Sequence, residues 1–314
     1  MKYLCSFLLI YGLVFSAGAQ EKHKIIFDCD MGDDIDDAFA LGMILSSDKF
    51  EVLGICMDNA NTDDRAVLTC KLLYEIGAEH IPVYVGRKTW DGPTTQHSWG
   101  KGFDKLKPQE KGAAEFIVET LNEYPGEVNL ITVGPVTNMQ DVITIDKNAL
   151  SKAKHIYAMF GSFYLGYQNT SVISMEFNVR ANIEASKIYT TNVKNITYAG
   201  LDITNFVYWD NQRMAKMNTH NSPLTNALTE LTEIWKLGQN RQIPILFDCV
   251  AIGLLLWPDL FETRPAHVKV IGGGYTVIDE GKSPNGKVGL GIKTDEFLDR
   301  LMDLYLNQNL SRKE

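Results

Sequence analysis

Six aspartates stand within ten residues, at Asp28, Asp30, Asp33, Asp34, Asp36 and Asp37, directly behind the apolar run Ile25-Ile26-Phe27. Carboxylates this crowded repel one another, and a folded chain keeps them only beside a cation. A hard ion such as Ca2+ or Mg2+ suits an all-oxygen donor set. The place also matters: α/β proteins put their chemistry where a strand ends and a helix starts. An acidic helix cap accounts for one or two of these aspartates, not six. An EF-hand does not fit. Counted from Asp28, the sixth position is Asp33 rather than Gly, and the twelfth is Phe39 rather than Glu.

The elements that must position this cluster are legible from periodicity. Short apolar runs at 24–28, 52–57, 82–85, 128–133, 155–159 and 196–198 read as strands. Between them, Ile35, Ala38, Phe39, Gly42 and Leu45 mark one helical face. Val67, Leu68, Leu72 and Ile76 mark a second, and Ala114, Ile117, Val118 and Leu121 a third. This alternation implies an α/β fold, with a mostly parallel central sheet flanked by helices. The second half reads as more helical, at 224–237 and 250–257. Strands follow at 268–271, 275–278 and 288–292, with a closing helix at 295–306. Two long loops, 86–107 and 161–174, are candidates for functional segments. With no repeat or linker, residues 20–314 read as a single domain.

Lys2, the apolar stretch from Leu4 to Phe15 and then Ala17-Gly18-Ala19 follow the order of a signal peptide. The expectation is cleavage after Ala19 and a secreted or periplasmic protein. No stable membrane span remains after that cleavage, because no later segment is long and apolar enough. The formal charge is −9, and basic runs are lacking, so nucleic acid is not the expected partner. Cys29, Cys56, Cys70 and Cys249 are too sparse for a disulfide scaffold. They read as buried thiols, with a Cys29–Cys249 bridge as the alternative.

Asp28-Cys29-Asp30 alone also suits an Asp-x-Asp phosphatase, but no convincing later Lys and Asp pair accompanies it. A broader set of motifs resembles the nucleoside hydrolase family. Asp28-Cys29-Asp30-Met31-Gly32, the two extra residues Asp33-Asp34, then Ile35-Asp36-Asp37-Ala38 resemble its first-strand motif, with Met31 in place of a proline. Val133-Gly134-Pro135-Val136-Thr137-Asn138 is similar to its segment after a central strand. Met159-Phe160-Gly161 and Glu176-Phe177-Asn178 resemble two further motifs, and Phe247-Asp248-Cys249 a last one.

The resemblance implies Ca2+-dependent hydrolysis of the N-glycosidic bond of ribonucleosides, giving free base and ribose. It implies Asp30, Asp37, Asp248 and the Val133 carbonyl as metal ligands and Asp36 as the base that takes a proton from water. Asn59, Met159, Glu176 and Asn178 would meet the substrate. Many members carry a His before the last metal Asp as acid for the leaving base; this chain has Phe247. Phe247 is similar to a purine-preferring branch that stacks an aromatic on the base, with Trp90, Trp99 or Tyr164 as possible helpers. His97 is the candidate substitute acid. The resemblance also suggests a homo-oligomer, a dimer or a tetramer. A second class remains in view: a secreted ribose- or nucleoside-binding protein with weak or no catalysis. The preferred base, and the roles of Asp33 and Asp34, stay open.

Overall fold

The computed structural model describes residues 22–312. The proposed signal peptide therefore lies outside the described residues. Among the described residues there are ten strands: β1 His23–Cys29, β2 Phe50–Met57, β3 Val83–Val85, β4 Asn129–Thr132, β5 His155–Met159, β6 Ile196–Ala199, β7 Phe261–Ala266, β8 Val268–Ile271, β9 Tyr275–Ile278 and β10 Gly286–Ile292. Eight form one sheet in the order β3-β2-β1-β4-β5-β6-β10-β7. Every pairing is parallel except β10 with the edge strand β7. The expected mostly parallel sheet is therefore present, with helices on both faces.

Two expectations change in detail. β8 and β9 are strands, but they pair only with each other in a separate hairpin. β7 went unread, because its Glu262, Thr263 and Arg264 interrupt the apolar pattern of an exposed edge.

The strand order runs 3-2-1 on one side and 4-5-6 on the other. The chain thus reverses direction across the sheet between β1 and β4, and the crevice at such a switch point receives the ligand in open α/β sheets. Register aligns the carboxyl ends: Cys29 pairs with Met57, and Asp28 with Thr132. Asp30, Asn59 and Val133 thereby leave neighbouring strands at the same edge.

The helix Asp36–Ser46 is buried over nearly its whole length, which its apolar run Ala38–Ile44 requires. It packs against the equally apolar helix Phe247–Leu256. The closing helix Thr294–Asn307 locks the pair, where the Tyr305 hydroxyl donates to the Phe39 carbonyl at 2.7 Å. Among the described residues, no helix is long and apolar enough to cross a membrane.

Candidate active site

Packing of those two helices joins residues more than two hundred positions apart. Asp36 and Asp37 open one helix, and Asp248 lies in the first turn of the other. One oxygen from each of the three carboxylates lies within 4.8 Å of the others. All three side chains are buried, at 5, 3 and 4 % exposure. Burial first, then the charge of neighbouring aspartates (Asp34 and Asp30 for Asp36), pushes each carboxyl well above the usual carboxylate range. A buried, all-oxygen, self-repelling set of this kind fits a hard divalent cation. Helix N-termini also favour negative charge there.

The cluster forms the floor of a cavity of about 630 Å³ at the carboxyl edge of the sheet. Asp30, Val133, Met159, Glu176, Asn178 and Phe247 share its wall, so nine of the eleven expected site residues converge there. Asp30 is not a member of the tight carboxylate group. Its carboxylate accepts from the Asn59 side-chain amide at 3.1 Å and lies 3.7 Å from the Arg65 guanidinium. The Val133 carbonyl accepts from the Asn178 amide at 2.7 Å. Asn59 supports Asp30 and is not itself part of the wall.

His97 does not reach the cavity. Its Nδ1 lies 2.5 Å from an Asp64 oxygen, and the other Asp64 oxygen accepts from the Thr94 backbone and hydroxyl. The 86–107 loop therefore fastens His97 to the start of the helix Thr62–Glu75. No histidine is found in the described cavity wall. Trp90, Trp99 and Tyr164 are likewise absent from it. The aromatics that do line it are Phe247, Tyr167, Phe177 and Trp235, with Ile243 and Ile245 beside them. Tyr167 lies in the long 161–174 loop, which its length had marked as a candidate functional segment, whereas Trp235 sits in a helix that carries no chemical motif.

The loops behind the wall are tightly bonded. Gly32 holds φ +129°, and a Cβ there would meet Leu68 at 2.9 Å, so the turn admits only glycine. Asp28 does not face the cavity but is buried, accepting from the Asn138 amide at 2.7 Å. Asp58 accepts from the backbone of Asn59, Thr137 and Asn138, which joins the loop after β2 to the helix Thr137–Ile145. Val136, just before that helix, sits at φ 50°, a strained conformation for a β-branched residue. The four cysteines Cys29, Cys56, Cys70 and Cys249 are all free and buried, so the Cys29–Cys249 bridge is not formed.

Glu176 caps the short helix Phe177–Ala181, accepting from the backbone of Gly161, Asn178 and Val179. Burial outweighs those bonds and pushes its carboxyl up to about 7. A carboxyl raised on folding contributes stability below its unfolded pKa and loses it as pH rises through the folded value. Chelator-treated protein should therefore weaken between pH 5 and 8. Glu176→Gln keeps an oxygen acceptor and removes this titration. In urea unfolding, its loss over that window should be smaller than wild type's by on the order of 2–3 kcal/mol. An identical pH slope in the two proteins rejects Glu176 as a source of the dependence.

Comparison with known proteins agrees with this geometry. The sequence model of the inosine-uridine preferring nucleoside hydrolase family matches residues 25–299. The chain belongs to this family and is an N-glycosyl hydrolase. A curated relative is the pyrimidine-specific ribonucleoside hydrolase RihB of Escherichia coli O9:H4. It is 29% identical over 302 residues, covering 88% of this chain and 95% of that protein. Among solved structures, a plant nucleoside hydrolase superposes with a TM-score of 0.80 at 22% identity, over 91% of this chain and 99% of its own. The purine-preferring ribonucleoside hydrolase from Gardnerella vaginalis gives 0.78 at 20% identity, over 90% and 98%. At these identities the solved structures speak for the fold. The Asp-x-Asp phosphatase reading is set aside by the family membership.

Proposed function

We propose that the chain hydrolyses ribonucleosides to free base and ribose with the help of a divalent cation, Ca2+ being the best fit. The observation that carries this is the convergence of Asp36, Asp37 and Asp248 on the floor of a cavity that also presents Glu176 and Asn178. Asp37 and Asp248 would hold the cation, with Asp30 and the Val133 carbonyl adjoining. When bound, the cation supplies positive charge that lowers the pKa of a water and orients the ribose hydroxyls. Asp36 accepts the water's proton as general base. Glu176 and Asn178, one acceptor and one amide, suit hydroxyls of the ribose ring. Asn59 keeps Asp30 turned toward the sugar. The carboxylate-rich floor stabilises the positive charge that develops on the ribose as the bond breaks.

Phe247 supports an aromatic stack on the departing base, with Tyr167 and Phe177 enclosing that end. The enzyme would be exported through the segment before Gln20 and would assemble as a dimer or tetramer. The relatives differ in base: RihB is pyrimidine-specific and the Gardnerella enzyme purine-preferring. One observation favours a second reading, a nucleoside-binding protein with weak catalysis: the described wall has no histidine to act as acid. A panel of purine and pyrimidine ribonucleosides, assayed for base and reducing sugar in Ca2+, decides between them. Turnover with release of both products is expected. Binding without product over the whole panel overturns the catalytic roles proposed for this site.

A further inference from the structure

We propose that Arg65 is a positioning residue for this site, a buried fork that holds the Asp30–Asp33 turn in the shape the cation requires. The inference rests on the cation-site reading above. Arg65 lies in the helix Thr62–Glu75 and is 1 % exposed. Its Nε donates to the Asn59 carbonyl at 2.9 Å. Nη1 donates to the Asp30 carbonyl and to the Met31 carbonyl, the latter at 3.1 Å. Nη2 donates to the Asp33 carboxylate at 2.7 Å and stands 3.7 Å from that of Asp30. One planar group thus ties the loop after β1 to the loop after β2.

The fork also gives the inserted Asp33 a purpose. Its second oxygen accepts from the Thr95 backbone and hydroxyl at 2.9 and 3.1 Å. Beside it, the Gln96 backbone N–H donates to the Gly32 carbonyl at 2.8 Å. Asp33 is therefore a strut between Arg65 and the 94–97 segment, half-exposed at the cavity wall and outside the tight carboxylate group. Lysine cannot replace this arrangement. It has a point charge and no planar fork, so it cannot meet three carbonyls and a carboxylate lying in different directions. Burial opposes the charge of Arg65, but Asp30, Asp33 and Asp37 more than offset this and hold it protonated.

Two roles for Arg65 predict opposite signs. If it only offsets acidic charge, removing it leaves a more negative site that attracts a cation more strongly. If it positions the turn, removing it frees three carbonyls and the Asp30 frame, and cation binding weakens. We expect the second. By calorimetric titration with Ca2+, Arg65→Gln and Arg65→Lys should each bind at least tenfold more weakly than wild type. A Gln variant that binds as tightly or more tightly overturns the proposal, as does a Lys variant equal to wild type.

Hydrogen exchange in chelator separates this from the cation reading. The backbone amides of Asp30, Thr95 and Gln96 should exchange at least tenfold faster in Arg65→Gln; unchanged exchange overturns the positioning role. Wild type that takes up no Ca2+ overturns the cation reading alone, and the exchange result still decides for Arg65. If Arg65→Gln does not fold, Asp33→Asn removes the strut and leaves the fork. It should speed exchange at Thr95 and Gln96 and weaken Ca2+ binding severalfold, and wild-type values in both overturn the proposal.

Discussion

Asp36→Asn should lower turnover by about 10²–10⁴, the usual contribution of a positioned general base. The same substitution should raise the melting temperature of the chelated protein. Asp36 is buried beside Asp37 and Asp248, and burial, then the charges of Asp34 and Asp30, hold its carboxyl well above the usual range. Asn is nearly isosteric and takes one negative charge out of that group. Stabilising single substitutions contribute about 0.5–2 kcal/mol. For a chain of this size that is a rise of a few degrees, at about 2–4 °C per kcal/mol. The informative outcome is the pair of changes together, read by steady-state base release and by thermal melting in chelator. Activity near wild type moves the base elsewhere in the cavity. Lower stability in chelator rejects the view that the carboxylate floor is under electrostatic strain.

Cation removal should have a comparably large effect. With chelator, hydrolysis should stop; added Ca2+ should restore it and raise the melting temperature. A ligand at a thousandfold excess over its Kd stabilises by about 4 kcal/mol. The pH dependence of this gain has a definite sign. Without a cation, Asp36, Asp37 and Asp248 have raised pKa values, so folding loses stability as pH rises and they ionise. Bound Ca2+ needs the ionised carboxylates, so protons compete with it. The stabilisation by Ca2+ should therefore grow from pH 5 to pH 8. The Ca2+ shift in melting temperature across that range measures it. A shift that is absent, or largest at pH 5, removes the three-carboxylate cation site.

The acidic run was visible at once, yet its division of labour was not. Neighbours in sequence point in different directions once the strand ends and the helix starts. Asp28 turns inward to Asn138, Asp30 meets Asn59, Asp33 meets Arg65 and Thr95, and only Asp36 and Asp37 reach the floor with Asp248. His97 shows the limit from the other side. A lone loop histidine has no periodicity to say which way it faces, and Asp64 took it before the cavity could. Arg65 was missed because a single basic residue after Asp63-Asp64 resembles any helix surface charge. Only the packing of its helix beneath both loops buries it.

By itself, the sequence determined the α/β alternation and the parallel sheet, and it singled out nine residues that line one cavity. Those follow from local patterning: apolar runs of strand length, helical spacing, and a dense run of carboxylates where a strand gives way to a helix. Only the tertiary structure decided which carboxylates meet. Asp36 and Asp37 join Asp248 because two apolar helices, far apart in the chain, bury their faces against each other and bring their N-termini to one point. The direction of a side chain after a turn depends on those long-range contacts, and no local pattern encodes it.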